Sequence, residues 1–199
     1  MSLMPIAAAF LAVLSPAARA ATYEIDAAHS QVAFRIRHLV GKVPGRFTAF
    51  SGAVSYEPGK PETWTVAARI DPASINTDNV KRDEHLRAPD FFDTAKCPEM
   101  AFKSVKVTDA KGAAAKLHGL LTMHCVTKPV VLDLELGGVG KDPWGGQRAG
   151  FTARTLLNRK DFGIVFNKVL DNGGLMLGED VEVVIDIEAA AKAEAPAKK

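Results

Sequence analysis

The sequence predicts an all-β fold, eight antiparallel strands in one domain with a single short helical insertion. Three observations carry this prediction. Apolar and polar residues alternate by twos along most of the chain, turn residues separate the alternating runs, and the period changes only once, between Asp71 and Thr94. Strands with one apolar and one polar face close into a barrel or stack as a two-sheet sandwich. Closure is favoured because it removes exposed strand edges, and a barrel of this strand number can hold one small elongated ligand.

In chain order, Val32, Phe34 and Ile36 alternate with Ala33, Arg35 and Arg37. After a turn at residues 41–45, a strand over 46–56 places Phe47 and Ala49 on one face and Phe50, Val54 and Tyr56 on the other. Residues 57–61, Glu-Pro-Gly-Lys-Pro, read as a turn, and Trp64, Val66 and Ile70 resume in phase over 63–70. Asn76, Thr77 and Asp78 offer capping side chains ahead of a helix over 80–86, which Pro89 stops. Strands return over 99–107, 114–123, 130–136, 148–157 and 181–188. In the sixth, Val130, Leu132, Leu134 and Leu136 oppose Asp133 and Glu135, and in the last, Val181, Val183, Ile185 and Ile187 oppose Glu182, Asp186 and Glu188.

The ends read differently. Residues 1–20 have an apolar stretch from Ile6 to Leu14, a break at Ser15-Pro16 and the small-x-small pattern Ala18-Arg19-Ala20, which predicts a cleaved signal peptide and a mature start at Ala21. No Lys or Arg lies near Met1, so the positive charge expected at the front of the leader rests on the amino terminus alone, or the start lies further upstream. Residues 189–199 contain only Ala, Lys, Glu and Pro and read as a disordered tail. The domain is therefore expected over 21–188. The whole chain has 25 basic against 23 acidic residues, and removing the leader takes away only Arg19, leaving 24 against 23. That balance argues against nucleic acid as partner, which calls for a basic surplus.

Several motifs stand at element ends: His29-Ser30-Gln31-Val32 running to His38, Val43-Pro44-Gly45-Arg46-Phe47, and Ile75-Asn76-Thr77 leading to Arg82-Asp83-Glu84-His85-Leu86. Phe91-Phe92-Asp93 follows, then residues 119–130, Gly-Leu-Leu-Thr-Met-His-Cys-Val-Thr-Lys-Pro-Val, then Leu157-Asn158-Arg159-Lys160-Asp161-Phe162-Gly163 and Gly178-Glu179-Asp180-Val181. In this order they resemble the YceI-like family, over nearly the whole stretch from Ala21 to Glu188. The resemblance implies an extended lipocalin-like barrel, exported to the periplasm, whose interior takes a long apolar molecule such as a polyisoprenoid or fatty amide. It implies a binding or carrier protein, not an enzyme, with no cofactor. The chain departs from the family at Cys125, where Gly is usual, and at Cys97, where an aromatic residue is common.

A lipid carrier needs an apolar lining, for which Phe34, Trp64, Phe91 and Phe151 are the aromatic candidates, with small residues such as Ala49, Ala67 and Ala153 leaving volume. Its head-group donors are expected from Arg82, His85 and Arg87 on the helix and from Asn158 and Lys160 at a strand end, with His29 also assigned to ligand. The competing reading of the helix is a solvated face of mixed charge, and of Asn158 a turn residue satisfying backbone groups. His29, His38, His118 and His124 show no metal-ligand spacing, and His29 and Ser30 are placed to fix the entry of a strand. If 99–107 pairs with 114–123 through a turn at 109–113, Cys97 and Cys125 fall opposite each other, close enough for a disulfide in an oxidising compartment. A second functional reading is an enzyme or stress-related accessory protein acting on a small apolar substrate in the barrel, with His29, His85 or Asp83 as acid or base. No recognisable nucleophile, oxyanion stabiliser or cofactor loop accompanies it. Beyond a long-chain lipid, transient membrane contact and a homodimer are compatible with the sequence.

Overall fold

A computed structural model describes residues 20–171 and 173–192. The predicted signal peptide lies outside these residues except for Ala20. Eleven strand segments and one α-helix are present: β1 Ala21–Ile25, β2 Gln31–His38, β3 Gly41–Phe47, β4 Phe50–Tyr56, β5 Thr65–Ile70, β6 Ile75–Asn76, α1 Val80–Arg87, β7 Met100–Lys111, β8 Ala114–Met123, β9 Val126–Lys141, β10 Gln147–Asn158 and β11 Leu177–Ala191. All the strand pairings are antiparallel, and β1 pairs with both β4 and β11, which closes the ring.

The eleven segments make eight staves. The first stave is β1 continued by β2, both lying along β11, the second is β3 with β4, and the third is β5 with β6. Each break is held by a side chain that satisfies backbone groups the ladder cannot reach. Between β1 and β2, Ser30 Oγ donates to the Glu188 carbonyl at 3.1 Å and accepts from the Glu188 amide at 3.0 Å. Between β3 and β4, Ser74 Oγ accepts from the amides of Thr48 and Ala49 at 3.2 and 3.0 Å.

Several expectations are corrected here. The strand β1 had not been foreseen, and residues 41–45 form the first part of β3 instead of a turn. Phe47 and Phe50 share one face, because the break at Thr48 and Ala49 resets the period; Ala49 is exposed, as is Ala67. The expected tail starts too early. β11 continues to Ala191, and Ala189 is fully buried where it faces Ile25 of β1, so a small side chain at that seam is a packing requirement and not a sign of disorder.

α1 begins at Asn79, whose side chain accepts from the Arg82 amide, and ends at Ala88, held extended by Pro89. The helix is docked on β6 through Thr77, which donates to the buried Asp83 carboxylate from its amide at 2.9 Å and from its hydroxyl at 2.5 Å. Residues 88–99 then cross the same barrel end and are tied to the β8–β9 turn by a disulfide between Cys97 and Cys125, with Cα atoms 5.4 Å apart. The opposite end is plugged by Tyr23, Tyr56, Trp64, Ala149 and Ala189.

Candidate ligand-binding site

The inward residues of the staves do not fill the barrel. An upper chamber of about 330 Å³ lies under α1, and a lower one of about 170 Å³ lies above the aromatic plug. Val32, Phe47, Met123, Leu157 and Val183 line both, so the two chambers meet at a shared waist. Their combined size falls within the roughly 300–1,000 Å³ usual for small-molecule sites.

The lower chamber is almost wholly hydrocarbon. Trp64, Phe151 and Ala153 line it, and the Trp64 indole donates to the Glu57 carbonyl at 2.7 Å, leaving its apolar face inward. Ser51, Tyr56 and Thr155 also line it but turn no polar atom into the space, and the Thr155 hydroxyl donates to the Val131 carbonyl at 2.9 Å. Two glycines also set where the wall's rings lie. An added Cβ on Gly45 would lie 2.2 Å from the Phe34 ring, and one on Gly119 would lie 2.3 Å from the Phe102 ring. The far end of each ring therefore lies where a Cβ would stand, and a larger residue there would displace it.

The upper chamber is walled by Phe34, Ile36, Leu86, Phe91, Phe92 and Phe166 and carries the basic groups Arg82, Arg159, Lys168, His38 and His85, with no carboxylate among its lining residues. Arg82 donates from Nε to Thr77 Oγ1 and from Nη2 to the Thr77 carbonyl, both at 2.7 Å. His85 Nε2 lies 3.2 Å from Asp90 Oδ2, and its ring stands edge-on to Phe91 and Phe166. Lys168 is exposed, and His38, Phe166 and Met176 are half-buried, so this end communicates with solvent.

Arg159 was not among the expected residues, yet it is the most distinctive group in the chamber. Its side chain is only 3 % exposed. It donates from Nε to the Gly178 carbonyl at 2.9 Å and from Nη1 to the Ile164 carbonyl at 2.7 Å. Its Nη2 is buried with no hydrogen-bond partner among the described residues. Burial lowers the guanidinium pKa, with the Glu179 carboxylate acting in the opposite direction. The group remains a cation at neutral pH, with N–H donors in a low-dielectric setting.

The other expected donors lie elsewhere. Arg87 donates to the carbonyls of Ala73 at 2.7 Å and Ile75 at 3.0 Å, fastening α1 to the third stave. Asn158 caps the short turn at Arg159–Phe162 by accepting from the Lys160 amide, and Lys160 pairs with Glu179. Neither lines the chambers: continuing the inward phase of β10 through Phe151, Ala153, Thr155 and Leu157 brings Arg159 inward and leaves Asn158 and Lys160 outside. That period was the available signal for Arg159.

His29 lies on the outer surface, 2.9 Å from Asp26. Asp26, His29 and Glu188 come within 4.8 Å of one another, but Arg148 already donates to Asp26 at 2.6 Å and Glu188 at 3.2 Å, so a cation of the chain itself neutralises the cluster. Arg148, followed by His29, holds the Asp26 carboxyl down at a pKa of about 2.

Comparison with known proteins gives a consistent result. A family model described as the YceI-like domain matches residues 23–189. A UPF0312 protein of Vibrio cholerae is 40% identical over 166 residues, covering 82% of this chain and 88% of its own. The crystal structure of a Campylobacter jejuni YceI protein has 32% identity and a TM-score of 0.68, covering 79% of this chain and 90% of that one. A polyisoprenoid binding domain from Saccharophagus degradans shares the fold at a TM-score of 0.64 and 17% identity, covering 87% of this chain and all of that one, 100%.

Proposed function

The chain belongs to the YceI-like family, and from that premise we propose that it binds and carries a long-chain lipid whose head group offers a hydrogen-bond acceptor oxygen. The hydrocarbon runs from the lower chamber through the shared waist, and the head group lies in the upper chamber beside Arg159. A polyisoprenoid, the class named for the Saccharophagus degradans domain, and a fatty amide both have the required form.

The buried, unpartnered Nη2 of Arg159 is the observation that carries this reading. Removing hydrocarbon from water gains about 0.8 kcal/mol per CH₂, but a bilayer already supplies nearly the same gain. A soluble binder must add something a membrane lacks. A guanidinium in a water-poor chamber does so, because a charged hydrogen bond there is stronger than one in water.

Binding, not catalysis, is favoured by how the acid and base candidates on the helix are engaged. Arg82 and Asp83 are committed to Thr77, and His85 to Asp90. We further propose a periplasmic location: the leader pattern of residues 1–20 and the Cys97–Cys125 bond both suit export into an oxidising compartment.

Native mass spectrometry of the protein purified from its own host tests the proposal. The expected result is a retained lipid of defined mass, released on denaturation, on a chain beginning at Ala21. A chain that carries no lipid and takes up no cis-parinaric acid, a fluorescent long-chain fatty acid, would refute it.

A further inference from the structure

We propose that the rim of the upper chamber is a docking surface for an anionic phospholipid bilayer. The inference rests on the chamber opening at this end.

Two segments form the rim. The β2–β3 turn presents Val40, which is fully exposed, and Leu39, which is 43% exposed. The second segment, residues 163–171 with 173–176, presents Val165 and Val169, 63% and 74% exposed. They adjoin, because the Leu39 amide donates to the Met176 carbonyl at 2.9 Å and Arg37 Nη1 donates to the carbonyls of Leu39 and Leu175. Both are braced: Leu39 takes a positive φ of 52°, and Asn167 donates to the Leu177 carbonyl and accepts from its amide. Apolar tips held out on a fixed frame lie in water at a cost that insertion among lipid tails removes.

Charge selects the occupant. Arg37 and Lys168 flank the valines, and neither has an ion-pair partner among the described residues, while Lys42, two residues after Val40, pairs with Glu182. Asp171 is the acidic residue of the second segment. Basic side chains around apolar tips match the interface of an anionic leaflet, where each contributes to attraction at the surface. Behind the rim, Met176 and Phe166 pack with Leu177 and line the chamber, and Val169 is bridged to Leu175, the residue before Met176. A hydrocarbon chain leaving the bilayer there would pass into the chamber without crossing water.

The test is co-sedimentation of the full chain with vesicles of phosphatidylglycerol and phosphatidylethanolamine, against vesicles of phosphatidylcholine alone, at low and high salt. The expected result is salt-sensitive binding to the anionic vesicles, weakened at least about tenfold by V40D/V169D. Trp144→Asp, at the exposed β9–β10 turn on the opposite end, should leave binding unchanged. No binding to anionic vesicles, or equal loss in the Trp144 variant, overturns the proposal. So does self-association in analytical ultracentrifugation that V40D/V169D abolishes, which would assign the rim to a second copy. Uptake of cis-parinaric acid, followed separately, keeps the two readings apart: V40D/V169D should retain it. Vesicle binding without uptake would defeat the cavity and leave the rim standing.

Discussion

Replacing Arg159 by Met separates recognition of a head group from support of the barrel. The change removes a buried cation that donates to Gly178 and Ile164 and directs a third N–H-bearing nitrogen, Nη2, without a protein partner. Two carbonyls lose their donors, at about 1–3 kcal/mol each if they stay dry, so the variant should melt earlier than the parent. A hydrogen bond from a charged donor to the lipid head contributes about 1.5–3 kcal/mol, which corresponds to a roughly 10- to 150-fold loss of affinity. That second loss should depend on the ligand. Competition against cis-parinaric acid would compare a polyprenyl phosphate with a hydrocarbon of equal length lacking a head. The phosphate should weaken by the stated factor while the hydrocarbon changes little. Equal weakening of both would mean that Arg159 only braces the turn, and the proposed orientation of the lipid would be wrong.

Three other outcomes follow from the structure. Replacing both cysteines by Ala opens a link of sequence separation 28; chain entropy sets the loss at up to about 3.5 kcal/mol, or a fall of roughly 7–14 °C in Tm for a chain of this size, and a shift below about 2 °C would contradict it. Gly45→Ala should force the Phe34 ring into the upper chamber and lower uptake of cis-parinaric acid with little loss of fold, and unchanged uptake would show that the glycine does not set the volume. The Asp26 carboxyl, held near 2 by Arg148 and His29 against an ordinary 3.8, binds its proton more readily in the unfolded chain. Its contribution to stability is complete above the unfolded value and is lost as pH falls from about 3.8 through about 2. Arg148→Met should flatten an acid-denaturation profile in that window, and an unaltered profile would exclude the pair as its source.

The ring of strands was legible because its period of two is a property of neighbouring residues. The same locality made the cysteines readable: β7 and β8 form a hairpin with Ala101 opposite Thr122, and Cys97 and Cys125 fall just beyond that register. What escaped depends on contacts far along the chain. The break at Thr48 and Ala49 is held by Ser74, and without that partner the phase change between Phe47 and Phe50 has no local sign. Gly45 and Pro44 look like turn residues until the Phe34 ring is seen over the glycine. At the site, Phe34, Trp64, Phe91, Phe151, Arg82 and His85 do line the chambers, whereas His29, Arg87, Asn158 and Lys160 serve structural bonds outside them. Arg159 was masked by composition: a run of Asn, Arg, Lys and Asp suggests solvent, and only the strand period marks the Arg as the inward member.

The seam between the first and last strands governs when this molecule can become complete. Tyr23, Glu24 and Ile25 meet Ala191, Ala190 and Ala189, and the Lys192 amide donates to the Thr22 carbonyl at 2.8 Å. A polypeptide emerging amino end first therefore keeps Tyr23–Ile25 waiting until residues 189–191 are released, and meanwhile its oily wall stands open along one side. Such distant pairing is slow to form. A version ending at Glu188 would possess all the staves yet lack these final stitches, and early proteolytic cutting near Ile25 would report the gap.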